Sequence, residues 1–219
     1  MNEFYTKETI EESYKELINF VGWINKQYGY YPVIIGGWAV FSYVKSMGSR
    51  DIDIIFPTRE STDRVLLPYY MAAGYKSSGM FAKQFYKEIK TGKKTERIYL
   101  DACSLADRNL LHENSEIEIP WSLGMKHSKE WKIGNVVARV PNIELLLIYK
   151  VKALLDRRYD LRKTVLSAFQ RSYINSKIWK DEQDVLVLKK CDMNEKFIED
   201  LLKETGFKKY FERENKRIK

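Results

Sequence analysis

The chain has 219 residues, of which 44% are hydrophobic and 31% charged, a globular composition that argues against a disordered or fibrous chain. Its 38 basic and 30 acidic residues leave a net charge of +8, and no stretch approaches the ~20 consecutive apolar residues that span a bilayer. The polar, partly acidic residues 1–10 do not read as a secretory leader. Two cysteines, Cys103 and Cys191, suit a reducing, cytoplasmic setting with free thiols, with one disulfide left open. His112 and His127 lack the cysteine cluster of a structural zinc site.

From the start of the chain, Ile10, Tyr14, Leu17, Val21 and Ile24 recur in steps of three and four, which predicts an amphipathic helix over 8–28, capped at Thr9-Ile10-Glu11-Glu12 and stopped by Gly29. The period then changes. Pro32-Val33-Ile34-Ile35 reads as a buried strand ended by Gly36-Gly37, with a helix from Trp38 to Met47 closed by Gly48. Residues 51–56 form a second strand. A third helix is expected over 61–73, interrupted by Pro68 and stopped by Gly74. Residues 79–105 alternate around Thr91-Gly92-Lys93-Lys94 and predict a hairpin. Short strands are expected at 116–119 and 131–140, the latter bent at Gly134-Asn135. From Asn142 the period is helical, with Leu145, Leu146, Tyr149, Ala153 and Leu154 as one stripe and further helices over 159–172, 178–190 and 194–204. The natural boundary lies near Pro141, giving units 1–140 and 141–219. Residues 1–140 hold 19 basic and 17 acidic residues, and 141–219 hold 19 and 13, so the positive excess sits mainly in the second unit. That excess suits a polyanionic partner or a plain solvated lysine-rich surface.

Three features carry chemistry. Gly36-Gly37, between a strand and a helix, allows close backbone approach at a helix start whose N–H groups suit phosphate, or is simply a tight turn. In Asp51-Ile52-Asp53-Ile54 the two aspartates share one strand face with Cα atoms roughly 6.5 Å apart, and Ile52 and Ile54 share the other. Such a pair suits a divalent cation shared with substrate phosphates, or is two solvated acids on a one-sided sheet. Asp101 is the isolated acid of Ile98-Tyr99-Leu100-Asp101-Ala102-Cys103, a third metal ligand, a base, or an edge residue facing water. Trp38, Tyr69, Tyr70, Phe85 and Tyr99 read as core aromatics, and Lys83, Phe85, Tyr86 and Lys87 either track a nucleic acid or belong to an ordinary strand.

Taken together, Ile35-Gly36-Gly37, 13 intervening residues, Asp51-Ile52-Asp53 and a later strand Asp101 resemble the DNA polymerase β-like nucleotidyltransferase superfamily, with Ser49-Arg50 similar to its usual Ser/Thr and basic residue. The segment from Glu144 to Arg157, with Lys150 three before Ala153, and the segment Lys180-Asp181-Glu182-Gln183-Asp184 resemble the AbiEii-type toxin family. Lys152 is a competing lysine, and 159–177 is basic and long for that family. The resemblance covers about 33–190.

It implies an α/β (α+β) nucleotidyltransferase fold, a mixed β-sheet flanked by helices, followed by a helical C-terminal domain. It further implies two magnesium or manganese ions on Asp51, Asp53 and Asp101, and phosphate contacts from Gly36, Gly37, Ser49 and Arg50. Lys150 would meet the triphosphate of an NTP substrate, and Asp181 would orient Lys150 or Arg157 or meet the base or ribose. The implied protein is a cytoplasmic type IV toxin with a cognate antitoxin, no membrane association, and an RNA acceptor such as a tRNA 3′ end. A small-molecule acceptor, as in the similar aminoglycoside nucleotidyltransferases, and a non-catalytic binding protein on the same fold are the alternative expectations.

Overall fold

A computed structural model describes residues 4–77, 85–92 and 94–218. Helix α1 spans Lys7–Tyr28, and its cap is Thr6, whose hydroxyl accepts from the Thr9 amide, rather than Thr9 itself; Gly29 closes it in the left-handed region as expected. Strand β1 is Val33–Ile35, followed without a loop by α2, Gly36–Val44, so the two glycines open the helix instead of preceding it. Strand β2 is Ile52–Phe56 and α3 is Arg59–Ala73. Pro68 lies inside α3 without interrupting it. The Arg64 carbonyl, which loses its amide donor to the proline ring, accepts from Tyr28 Oη at 3.3 Å instead.

Strand β3, Lys76–Ser77, precedes the hairpin of β4, Phe85–Thr91, and β5, Lys94–Ser104. Lys83 and Lys93 lie outside the described residues. Next come β6, Leu110–Leu111, β7, Asn114–Glu118, and the short helix α4, Trp121–Lys126; neither β6 nor α4 was legible in the periodicity. The expected bent strand at 131–140 is a hairpin, β8 at Ser128–Ile133 and β9 at Val136–Pro141, because Gly134, at φ 59°, turns the chain back instead of bending it.

The C-terminal helices are α5, Ile143–Lys163, α6, Ala168–Leu188, α7, Glu195–Glu204, and α8, Lys208–Asn215. The expected break near 172–178 is absent. The chain breaks at 164–167 instead, where Ser167 and Gln170 form a capping box that starts α6.

One mixed seven-stranded sheet runs in the order β3-β4-β5-β2-β1-β9-β8. Strands β1 and β2 are antiparallel with Ile35 opposite Asp53, and β2 and β5 are parallel with Asp53 opposite Asp101. On one face, Ile34, Ile52, Ile54 and Leu100 pack into the core with Leu17, Phe20 and Ile24 of α1 and Tyr69 and Tyr70 of α3. On the other, Val33, Ile35 and Ile55 form a small cluster with Trp121 and Met125 of α4. That second face carries Asp51 and Asp53. The main core includes Leu145, Leu146 and Leu154 of α5 with Trp38 of α2, so apolar packing is continuous across residue 140. Trp38, Tyr69 and Tyr70 are buried as expected, whereas Phe85 and Tyr99 are half-buried.

Candidate active site

The site begins at the β1–α2 junction. Gly36 has φ +68°, and a Cβ there would stand 2.2 Å from Asp53 Oδ2. A Cβ at Gly37 would stand 2.8 Å from the Ser49 Cβ. Both glycines are therefore required for β2 and its approach loop to close onto the start of α2. The loop is fixed from behind: Trp38 Nε1 donates to Ser13 Oγ at 3.2 Å, and Ser13 Oγ donates to the Arg50 carbonyl at 3.0 Å. Asp51 and Asp53 thus face the same way beside a helix start, and the parallel register places Asp101 next to Asp53.

The three carboxyls are electrostatically unlike. Burial raises the Asp51 pKa, but Lys177 at 2.6 Å and Arg50 at 3.5 Å outweigh it and hold the carboxyl below its ordinary value. Asp53 is pushed up by burial and then by the Asp51 charge. Asp101 is raised to about 7 by burial, then by Asp53 and Asp51. Asp101 thus binds its proton more tightly in the folded chain than in the unfolded one. It favours folding fully below its ordinary value of 3.8, and that contribution is lost as pH rises to about 7. Asp101→Asn is therefore expected to flatten the decline of Tm between these pH values in the presence of a chelator. An unchanged slope would show that this carboxyl does not titrate there.

Over the acids lies a network of charges from α5 and α6. Lys150 Nζ meets Asp181 Oδ1 at 3.0 Å and Asp184 Oδ2 at 2.7 Å. Arg157 pairs with Asp181, and Lys180 with Asp184. Lys180 is lowered to about 8, first by burial and further by Lys150, with Asp184 opposing. Between this network and Asp51, Asp53, Gly37 and Ser49 is a cavity of about 40 Å³. It adjoins a cleft of about 390 Å³ lined by Gly36, Asp53, Trp121, Tyr149, Lys150 and Arg157 among others. Tyr149 and Trp121 form one aromatic wall, with ring centroids 5.3 Å apart. Tyr149 Oη accepts from the Gly124 amide at 3.1 Å and donates to the Pro120 carbonyl at 3.0 Å, which locks the ring. At the far end, Lys152 Nζ bonds Asp156 at 2.6 Å, and Asp156 also accepts from the His112 amide at 2.9 Å.

Gly36, Gly37, Ser49, Asp51, Asp53, Lys150 and Asp181 come together, with Asp101 one strand away. Asp181 touches both Lys150 and Arg157, so it orients the two together. Lys150 faces the acids, and Lys152 lines the same cleft further out. Arg50 does not line the cleft; its guanidinium donates to Tyr173 Oη at 2.9 Å on the opposite side of Asp51. Sequence reasoning missed Lys177, Tyr173 and the placement of Lys180. The signal was a polar stripe, Tyr173-Ser176-Lys177-Lys180-Asp181-Asp184, at helical spacing. Among the described residues, no three His, Cys, Asp or Glu side chains stand together as a metal cage, and Asp51 is engaged by cations instead. Both cysteines are free. No helix among the described residues is long and apolar enough to cross a membrane.

No protein-family model matches the chain, and no curated protein matches it in sequence. Solved structures do match its fold. An antigenic nucleotidyltransferase-like protein from Paracoccidioides brasiliensis aligns over 81% of this chain and 75% of its own, at 10% identity and a TM-score of 0.50. The antibiotic-resistance factor ANT(2'')-Ia aligns over 82% of this chain and 90% of its own, at 16% identity and a TM-score of 0.43. The chain has a nucleotidyltransferase-like fold, a mixed sheet flanked by helices.

Proposed function

We propose that the protein is a magnesium-dependent nucleotidyltransferase that moves a nucleoside monophosphate from an NTP to a hydroxyl. The observation that carries this reading is the register of β2 and β5, which sets Asp53 beside Asp101 with Asp51 on the same face, at the glycine-opened start of α2. The donor chemistry fits a divalent cation. The three carboxylates share one face of neighbouring strands without forming a closed cage, and the rise at Asp53 and Asp101 reflects in part the repulsion a cation would relieve. Magnesium held by Asp51, Asp53 and Asp101 would supply charge neutralisation at the phosphates.

The chain's own groups do the rest. The amides at Gly36 and Gly37 and the Ser49 hydroxyl meet phosphate oxygens. Lys150 and Arg157, held by Asp181 and Asp184, set positive charge over the triphosphate. Trp121 and Tyr149 supply an apolar wall for the nucleoside. A bond forms between the acceptor oxygen and the α-phosphorus, the bond from that phosphorus to the bridging oxygen breaks, and pyrophosphate leaves. The hydroxyl proton passes to a carboxylate, a role we assign to Asp101, whose raised pKa suits a proton acceptor. The finer reading is an AbiEii-like toxin acting on RNA, such as a tRNA 3′ end, with a cognate antitoxin; the sequence segments around Lys150 and Asp181 support it.

The experiment is incubation of the purified protein with each α-labelled NTP, magnesium and total RNA, beside Asp53→Asn. Label in RNA with the unmodified protein alone supports the full reading. Label only on protein or small molecules keeps the reaction and replaces the acceptor. The engagement of Asp51 by Lys177 and Arg50 favours a second reading, a non-catalytic binding protein, and RNA binding with no transfer to anything would establish it. Gly36→Ala is a further check. Its φ costs a residue with a Cβ about 1–2 kcal/mol, so Tm should fall by roughly 2–8 °C. Transfer should fall at least about tenfold, because Asp53 must move. Full activity in Gly36→Ala would remove Asp53 from the reacting centre.

A further inference from the structure

On the side of Asp51 away from the cleft is a second, larger opening, about 770 Å³, which the proposed NTP contacts do not use. Its floor is one face of β5, where Arg97, Tyr99 and Asp101 alternate, so the strand face that carries the third acid continues outward as an aromatic and then a cation. Its wall is the first half of α6. Phe169 and Tyr173 line the opening, and one turn further on Lys177 reaches Asp51. The Arg50 guanidinium lies 5.7 Å from the Tyr99 ring centre and 5.1 Å from that of Tyr173, bridging floor and wall. Phe169 is a large apolar side chain left 71% exposed at the rim. Among the described residues the lining holds three cations, Arg50, Lys94 and Arg97, and one acid, Glu96; Arg50 is buried against Asp51, and Arg97, at the exposed rim, lies 3.8 Å from Glu88.

Phe4 stands edge-on to Phe169 and Tyr173, and Tyr99 and Tyr173 are half-buried, so Phe169 offers the most exposed ring. Cations interleaved with such aromatic rings match the chemistry of an unpaired polynucleotide: phosphates meet the cations, and a base stacks on the exposed ring. A duplex keeps its bases stacked on each other and offers these rings nothing. We infer that the Arg97–Tyr99–Tyr173–Phe169 groove binds a single-stranded stretch of the acceptor and leads its terminal hydroxyl to Asp101 and Asp51. This rests on the transferase reading for its purpose, but the binding surface is testable alone. Two sides of one acid cluster are then divided between the substrates, with lysine charge and an apolar wall for the NTP and arginine with stacking rings for the strand.

The test uses the full chain and a fluorescently labelled 12-nucleotide single-stranded RNA, read by anisotropy over a salt series. A second arm uses the same sequence as a blunt duplex. The variants are Phe169→Ala and Arg97→Ala, both at exposed positions away from the acids. Phe169→Ala is expected to raise Kd about tenfold with the salt slope unchanged, through a lost stack. Arg97→Ala is expected to raise Kd severalfold and reduce the slope by about one phosphate's worth. NTP binding, measured separately by calorimetry, should be unaltered in both. Unchanged RNA affinity in the two variants, or equal loss on the duplex, overturns the groove assignment, whatever the transfer assay gives. Loss of single-strand binding in a protein that transfers no nucleotide upholds the groove and overturns the transferase reading instead.

Discussion

Asp53→Asn is expected to reduce nucleotidyl transfer by about a thousandfold or more, equivalent to ~4 kcal/mol of transition-state stabilisation, while Tm stays level or rises. The two effects have one origin. Burial and the Asp51 charge both oppose an ionised Asp53 and raise its pKa, so a permanently neutral side chain relieves the folded state and deprives the phosphates of their counter-ion. Asp51 is the less clean choice. Its removal leaves Lys177 and Arg50 in the interior without their carboxylate, and a broken pair of this kind costs about 3–5 kcal/mol. An Asp51→Ala, Asp53→Ala double variant should therefore lose both activity and several degrees of Tm. The assay that decides is transfer of labelled nucleotide alongside a thermal melt. Retained turnover in Asp53→Asn would exclude Asp53 from the reaction.

Lys150→Met is the second large effect. Lys150 bridges Asp181 and Asp184, which are buried with it, so truncation should cost about 3–5 kcal/mol of stability. Adding Asp184→Asn should not restore that loss, because it leaves Lys180, the other partner of Asp184, buried without its carboxylate. The KM for NTP, raised by Lys150→Met, should not recover in the pair. Lys152→Met should raise KM less, because Lys152 is spent on Asp156 further from the acids. Recovery of both quantities together would make Lys150 a structural residue. A larger KM effect at Lys152 would reassign the phosphate contact.

Much of the sheet side of this site is visible in the sequence because it is local. A β-branched run, two glycines and an alternating acid pair each announce a strand, its end and a shared face within a few residues. The pairing of Asp53 with Asp101 is not local. It follows from a parallel register between strands 48 residues apart, which the sequence pattern does not encode. The reading of α6 failed for a different reason. Its inward face is Tyr173, Ser176, Lys177, Lys180, Asp181 and Asp184 before it turns apolar at Val185 and Leu188, so most of the helix carries no apolar stripe, and periodicity split it. Pro68 misled in the same way, since the rescue of the Arg64 carbonyl by Tyr28 comes from another helix.

Helix α6 also lines both openings. Its 21 residues form a rod about 30 Å long. One end presents Tyr173 to the groove, and the other presents Asp181 and Asp184 to Lys150 over the cleft. A rod of hydrogen-bonded backbone tilts as a unit, so an occupant that shifts either end resets the opposite one. Thermodynamic reciprocity then requires each occupant to change the other's affinity by the same factor. The stripe that hid this helix from periodicity thus belongs to the one element that, among the described residues, the two openings share, with Tyr173 at one and Asp181 at the other.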